Sequence, residues 1–168
     1  AGAIPPSLPS DVYEKIMARL AGKKVDIVVD ATKDLLLNVL KYHPFLIKPN
    51  NFELGEMFGV TLHSDEEIEE YAKRLQALGA RNVVISMAGD GSMLITETGE
   101  TYRMGVPKGK VVNSVGAGDS MVAGFIASYF EEHDYKKALK YGAATGSATA
   151  FSEGLATKDQ VEKLLGQF

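Results

Sequence analysis

NSVGAGDSMVAGF, the stretch at residues 113–125, joins a run of small residues to the start of an amphipathic helix. Gly116, Ala117 and Gly118 have little or no side chain, so their backbone N–H groups can approach an anion closely. A helix N-terminus adds about half a positive charge at the same place. Asp119 follows at once, and a carboxylate beside an anion is costly unless it has a task. We therefore predict that Asp119 takes a proton from a hydroxyl that attacks a phosphoryl group.

The residues after Asp119 have the periodicity of a helix. Apolar side chains recur at i, i+3, i+4, i+7 and i+8, at Val122, Phe125, Ile126, Tyr129 and Phe130. This spacing predicts a helix over residues 117–132 that buries that stripe. The turn alone leaves one alternative open, in which a glycine-rich turn uses Asp119 only as the N-cap of the helix.

Length and composition limit the class of protein. A chain of 168 residues predicts a single domain over residues 1–168. The net charge of −4 and the pI of about 5.4 disfavour nucleic acid and anionic membrane surfaces, which bind basic faces. No apolar run reaches the length of a membrane span. The absence of cysteine excludes disulfides, thiolate metal sites and cysteine nucleophiles, and predicts the cytoplasm.

The opening AGAIPPSLPSD has no initiator methionine and the composition of a loop. We expect this loop to follow a strand. We also expect the chain to be the C-terminal part of a longer protein.

Short apolar runs alternate with amphipathic segments along the chain. Residues 25–30, 45–48 and 83–87 predict buried parallel strands, whereas 93–96 and 102–106 predict an antiparallel edge. Further helices are predicted at 11–20, 32–43, 51–57, 135–151 and 157–166, and from a capping box at 64–67 to Gly79. The alternation predicts an α/β fold, with helices on both faces of a mostly parallel sheet. Three parallel strands are few for such a sheet, which again indicates strands upstream.

One candidate site follows the second predicted strand. Lys48, Asn50 and Glu53 stand at its carboxyl end, where ligands lie in open α/β sheets. Lys48 can neutralise phosphate oxygens, and Asn50 with Glu53 can hold water on Mg²⁺, an ion that tends to keep several waters. The alternative is a helix start at which Glu53 complements the helix dipole.

A second candidate is the turn after the third predicted strand. It consists of Ser86, Met87, Ala88, Gly89, Asp90 and Gly91. Its backbone amides and the Ser86 hydroxyl can face a nucleotide, and the alternative is a plain hairpin connection. No G-x-G-x-x-G pattern is completed, and no G-x-x-x-x-G-K loop occurs, so dinucleotide-fingerprint and P-loop proteins are excluded.

The third candidate is the small-residue segment AATGSATA at 143–150. So many small side chains in one helix indicate that something packs very close, either a flat adenine ring or a neighbouring helix. His43, His63 and His133 have no ligand spacing with each other or with acidic clusters. We expect these three histidines to be structural or exposed.

Taken together, these segments resemble the PfkB, or ribokinase-like, family of carbohydrate kinases. NSVGAGDS is similar to the family's C-terminal signature D-T-x-G-A-G-D. The pattern K-P-N-x-x-E, which begins at Lys48, is similar to the family's N-x-x-E motif. The segment from Ser86 to Gly91 is similar to the family's nucleotide-binding turn. IPPSLPSDVY, KPNNFEL and ATGSATAFSEGLA resemble the branch that acts on sugar phosphates. The resemblance covers the chain but only the C-terminal part of a family member. It implies a ribokinase-like layered α/β/α fold with a mostly parallel sheet, here incomplete.

The resemblance implies roles in phosphoryl transfer. Asp119 would be the catalytic base, and the backbone of Gly116, Ala117 and Gly118 would form the anion hole. Asn50 and Glu53 would organise Mg²⁺, and Lys48 would meet phosphate.

It also implies a nucleotide site. Ser86, Met87, Ala88, Gly89, Asp90 and Gly91 would line the phosphates and ribose of ATP, and residues 142–147, with Ser147, would flank adenine. Two positions depart from the family pattern. Asn113 stands where many members have the first Asp of the signature, which weakens a monovalent-cation site, and Ala88 stands where Gly is common.

The implied activity is phosphorylation of fructose 1-phosphate to fructose 1,6-bisphosphate by ATP, with tagatose 6-phosphate as the alternative acceptor. A homodimer is implied for the full-length protein. The isolated chain is expected to be inactive, because most sugar contacts and the lid strands would lie upstream. The rival reading is a non-catalytic nucleotide-binding regulatory module, although a sensor has no reason to place Asp119 against phosphate.

Overall fold

The computed structural model describes residue 2, residues 4–5 and residues 7–168. The predicted N-terminal loop includes Ala1, Ala3 and Pro6, and these three positions lie outside the described residues.

Strands of the described residues form one sheet with the order β1-β2-β3-β4-β5. They are β1 (Val28–Val29), β2 (Leu46–Ile47), β3 (Asn82–Ser86), β4 (Ser92–Ile95) and β5 (Thr101–Met104). β1 pairs with β2 and β2 with β3 in parallel, with Val28 opposite Leu46 and Leu46 opposite Asn82. Short turns join β3 to β4 and β4 to β5, and connections that short suit antiparallel neighbours only. The predicted mixed sheet is therefore confirmed.

Helices fill most of the remaining chain. They are α1 (Val12–Leu20), α2 (Lys33–Leu37), α3 (Asn51–Phe58), α4 (Asp65–Ala77), α5 (Ala117–Glu132), α6 (Tyr135–Ala150) and α7 (Lys158–Leu165). The predicted bounds of α5 are matched, and those of α3, α6 and α7 are matched within a residue. Strong local periodicity and nearby capping residues explain this agreement.

β1 is much shorter than the run predicted at 25–30. Val25 is 51% exposed, and its N–H bonds to the carbonyl of Lys23 in a local turn. Pairing with the neighbouring strand begins only at the carbonyl of Ile27, which accepts the N–H of Phe45 at 2.8 Å. β-branched residues favour a strand, but a partner decides how far the strand extends.

The single helix predicted at 32–43 is wrong. α2 ends at Leu37, and a separate 3₁₀ turn covers Leu40–Tyr42. His43 ends that turn at φ +53, and its Nδ1 lies 3.1 Å from the carbonyl oxygen of Gly79. A Cβ on Gly79 would lie 2.0 Å from the carbonyl oxygen of Leu40, so this turn packs directly against residue 79.

The capping box predicted at 64–67 is half formed. The Ser64 hydroxyl accepts the N–H of Glu67 at 3.2 Å and caps α4. The Glu67 carboxylate instead accepts the N–H of His63 at 2.6 Å. The carboxylate therefore reaches one residue further back than the box requires.

The buried face of α5 also differs from the predicted stripe. Phe125 is buried, but Phe130 is 46% exposed. The buried residues of α5 are Met121, Gly124, Phe125 and Ser128. Two of these four are small, so a count of apolar side chains misses half of the buried face.

The close approach of α6 explains this offset. A Cβ on Gly124 would lie 2.3 Å from Oγ1 of Thr145, and a Cβ on Gly142 would lie 2.8 Å from the carbonyl oxygen of Met121. Each helix thus presents a glycine to the other. α5 and α6 pack at a distance that larger side chains would forbid.

The described chain divides into two compact units. One comprises Ala1–Ile85 with Leu94–Thr101, and the other Ser86–Met93 with Tyr102–Phe168. The core of the first unit includes Leu36, Leu40, Phe45, Ile47, Leu75 and Val83, and that of the second includes Phe125, Leu139, Ala144, Ala148 and Val161. A single domain over residues 1–168 stays a prediction.

Candidate active site

The sharp turn before α5 depends on Gly116. This residue is the N-cap of α5 and has φ +79, a left-handed conformation that glycine adopts without strain. A Cβ there would also lie 3.1 Å from Cδ2 of Leu155. Asp119 is an exposed residue in the first turn and not the N-cap. The alternative that limits Asp119 to capping therefore does not hold.

Two backbone donors at the start of α5 have no acceptor within the part of the chain that the structure describes. The N–H of Ala117 donates to the carbonyl of Ser114 at 3.2 Å, and that of Ser120 to the carbonyl of Gly116 at 2.9 Å. The N–H groups of Gly118 and Asp119 between them have no hydrogen-bond partner among the described residues. Two free donors at the positive end of a 16-residue helix can hold an anion.

The loop before α5 is held by both atoms of the Asn113 amide. Oδ1 of Asn113 accepts the N–H of Val115 at 3.0 Å, and Nδ2 donates to the carbonyl of Glu153 at 3.3 Å. An aspartate could accept the first bond but could not donate the second. Asparagine in place of the family's aspartate at position 113 therefore adds a hydrogen bond to the loop after α6.

α6 lies directly behind the glycine-rich turn. A Cβ on Gly146 would lie 3.0 Å from the carbonyl oxygen of Ala117. The face of the small-residue segment that includes Gly146 therefore packs against the neighbouring helix α5. The adenine contact of residues 142–147 stays a prediction, and Ser147 in that range is half-buried.

The turn after β3 is tightly bonded to itself. The N–H of Met87 donates to the carbonyl of Gly91 at 2.8 Å, and that of Asp90 to the carbonyl of Met87 at 2.9 Å. Gly91 has φ +94, and Ala88 has φ +47, a region that favours glycine. The departure at Ala88 therefore places a side chain at a strained position.

Exposure in this turn varies from residue to residue. Ala88, Gly89 and Asp90 are exposed, Ser86 is half-buried and Met87 is buried. The turn leads into β4 as expected, so it is a hairpin connection. The exposed backbone leaves room for the predicted nucleotide contact, which stays a prediction.

In the first unit, Lys48 lies at the carboxyl end of β2. It is only 8% exposed, and its Nζ lies 3.6 Å from Oδ1 of Asp30. Sequence reasoning did not select Asp30. The signal was available, because Asp30 follows β1 as Lys48 follows β2, and the ends of parallel neighbours adjoin.

Asn50 and Glu53 form a complete capping box at the start of α3. Oδ1 of Asn50 accepts the N–H of Glu53 at 2.8 Å, and Oε2 of Glu53 accepts the N–H of Asn50 at 2.8 Å. The helix-start alternative is thus present. A role in holding Mg²⁺ stays a prediction.

The donor set favours a hydrated ion over an ion enclosed by protein. No group of three or more acidic or histidine side chains that could hold a metal occurs in the described part of the chain. Oε1 of Glu53 makes no hydrogen bond among the described residues, and Mg²⁺ commonly keeps water between itself and such an oxygen. The residues therefore fit a Mg²⁺ ion held mainly by water and phosphate.

Among the described residues, no helix is long and apolar enough to cross a bilayer.

Comparison with known proteins gives a consistent result. The model of the "pfkB family carbohydrate kinase" matches residues 1–162. The chain is 49% identical to the 1-phosphofructokinase of Bacillus subtilis, covering 98% of this chain and 54% of that protein. It is 36% identical to the D-tagatose-1-phosphate kinase of Bacillus licheniformis, covering 99% of this chain and 55% of that protein.

A solved structure agrees with these sequence matches. A crystal structure from Staphylococcus aureus, described as a candidate phosphofructokinase, superposes with a TM-score of 0.93 at 44% identity. The superposition covers 99% of this chain and 54% of that one. The chain therefore spans about half the length of the relatives that it matches.

Proposed function

This chain belongs to the pfkB family of carbohydrate kinases, and on that premise we propose that the whole protein transfers the γ-phosphoryl group of ATP to a hydroxyl of fructose 1-phosphate. The observation that carries the proposal is the start of α5. There a glycine cap, two N–H groups without acceptors among residues 2, 4–5 and 7–168, and the Asp119 carboxylate occur within four residues.

The proposed step divides the work between the carboxylate and the backbone. Asp119 accepts the proton of the sugar hydroxyl as its oxygen bonds to the γ-phosphorus, and the bond from that phosphorus to the bridging oxygen of ADP breaks. The N–H groups of Gly118 and Asp119 donate to the oxygens of the transferred group. Preorganised donors of this kind stabilise charge that develops in the transition state.

The segment that follows β2 supplies charge and water ligands in this proposal. When bound, Mg²⁺ offsets the negative charge of the phosphate oxygens. Oε1 of Glu53 and the side-chain amide of Asn50 would hold water on that ion, and the Lys48 ammonium would meet phosphate. Because Lys48 is almost fully buried beside Asp30, its ammonium is held in one place.

The nucleotide contacts form the third part of the proposal. The exposed backbone from Ala88 to Asp90 lines the ATP phosphates and ribose, together with the hydroxyl of Ser86. Residues 142–147 flank adenine with the part of α6 that α5 does not cover.

We further infer that the protein acts in the cytoplasm and pairs as a homodimer.

The choice of acceptor rests on the relatives. The most identical of those named above is a 1-phosphofructokinase, so fructose 1-phosphate is the proposed acceptor. Another is a D-tagatose-1-phosphate kinase, and the motif resemblance points to tagatose 6-phosphate. ADP release is measured with Mg·ATP and each of three acceptors, fructose 1-phosphate, tagatose 1-phosphate and tagatose 6-phosphate. The acceptor that supports turnover is the substrate.

The test of the mechanism is Asp119→Asn in the full-length protein. Loss of the base should lower kcat by about 10²- to 10⁴-fold. The KM for ATP should change little, because the base acts mainly in the transition state. Glu131→Gln is the matched control, since it removes one exposed carboxylate from the same helix. A kcat within about threefold of wild type for Asp119→Asn would refute the assigned role.

The regulatory-module alternative predicts a different outcome in the same assay. A sensor would bind nucleotide or sugar phosphate without sugar-dependent ADP release. Turnover that depends on one sugar phosphate would exclude that alternative.

A further inference from the structure

The end of α6 holds the start of α5 through one buried hydroxyl. Oγ1 of Thr149 donates to Oγ of Ser120 at 2.9 Å and accepts the N–H of Ala156 at 3.2 Å. Thr149 is 1% exposed, so water does not replace either bond when it is lost. Ser120 directly follows Asp119. The hydroxyl therefore joins α6, the loop after it and the first turn of α5.

The next residue of α6 holds the other side of the glycine-rich turn. The carbonyl of Ala150 accepts the N–H groups of Val112 and Asn113 at 2.8 and 3.1 Å. The turn at residues 114–118 is thus anchored before and after by adjacent residues of one helix.

The first turn of α5 has little other support. Its N-cap is a glycine, and no side chain of the described residues caps the helix. The contacts of Gly146 and Gly142 limit how closely α6 approaches the start of α5. The hydrogen bond from Thr149 to Ser120 also constrains orientation, because a hydrogen bond weakens steeply when its geometry changes.

We propose that Thr149 is a positioning residue for the phosphoryl-transfer step. Through Ser120, its hydroxyl holds the Asp119 carboxylate and the two free N–H groups in the geometry that the transition state requires. The inference rests on the proposed function. Thr149 itself touches neither substrate. A displacement of about 1 Å in a reacting group can cost about 10²-fold in rate.

The variant that tests this is Thr149→Val in the full-length protein, because valine keeps the shape and removes the hydroxyl. We expect kcat to fall by about 10- to 100-fold, with the KM values for ATP and sugar phosphate within about threefold. Thr149→Ser should restore kcat, since it returns the donor. Ser120→Ala should lower kcat similarly while leaving the bond from Ala156 intact.

Ser152→Ala is the matched control. Its hydroxyl lies just past the end of the same helix but donates to the carbonyl of Ala148, four residues back in the chain. Loss of this bond should leave kcat unchanged. A general loss of stability at the end of α6 would instead lower kcat in both variants, and that result would overturn the proposal.

Amide hydrogen exchange separates this inference from the proposed function. Faster exchange of the Ser120 N–H, which donates to the carbonyl of Gly116, supports the proposal when it occurs in Thr149→Val together with the kcat effect. Unchanged exchange overturns it whether or not the protein is a kinase. Faster exchange with kcat within about twofold of wild type also overturns it. Absence of turnover in wild type refutes the proposed function and with it the catalytic part of this inference.

Discussion

Gly91→Ala in the full-length protein should destabilise the turn after β3 for two separable reasons. Gly91 has φ +94 and ψ −134, which a side chain rarely tolerates. Its Cβ would also lie 2.1 Å from the carbonyl oxygen of Met104. The conformation alone should cost about 1–2 kcal/mol, and the clash with backbone a further ~1–3 kcal/mol.

Gly99→Ala measures the cost of a side chain at a positive φ without the clash. Gly99 has φ +93, almost the same as Gly91, but nothing lies within 4 Å of the position of its Cβ. We therefore expect about 1–2 kcal/mol for Gly99→Ala and about 2–5 kcal/mol for Gly91→Ala, relative to wild type.

Urea unfolding of wild type and both variants gives the free energies of unfolding to be compared. The midpoints are compared directly when the dependence of that free energy on urea concentration, the m value, is the same. A Gly91→Ala variant no less stable than Gly99→Ala would show that the turn relaxes without cost, and would refute the steric argument. If the turn lines ATP, Gly91→Ala should also raise the KM for ATP, whereas Gly99→Ala should not.

Two further predictions concern charged groups. Hydrogen bonds from the hydroxyls of Thr98 and Thr96 hold the pKa of the Glu100 carboxyl below its ordinary value. The stability that these bonds contribute is present above the unfolded-state pKa of Glu100 and is lost as the pH falls through its folded-state pKa. Because Thr98→Val removes one of the two donors, it should raise the pKa of Glu100 in an NMR titration. An unchanged pKa would contradict the assignment. Asp30→Asn should leave the ammonium of Lys48 buried without its carboxylate, at a cost of about 1–3 kcal/mol in a thermal melt. A melt identical to wild type would show that this ion pair contributes nothing.

Elements whose signals are local were predictable from sequence. The bounds of α5 follow from the glycine-rich turn and the periodicity behind it. The start of α3 follows from Asn50 and Glu53, which are three residues apart and bond to each other. In both cases the groups that decide the structure lie within one or two helical turns of each other.

Elements that depend on distant partners were not predictable in the same way. The predicted helix at 32–43 breaks where the turn at Leu40 meets residue 79. The strand predicted at 25–30 shortens to two residues, because pairing with β2 begins only at Ile27. Propensity is a weak prior wherever packing against another element decides the outcome.

The sequence by itself determined the α/β class and the family of this chain, and it predicted an anion-binding role for residues 116–119. These rest on residue types at short spacing, where the physics is local. Only the tertiary structure decided that small residues form the buried face of α5, that Asp30 lies beside Lys48, and that Thr149 supports Ser120 across 29 residues. Such contacts depend on how closely two backbones approach, and no spacing along one chain encodes that distance.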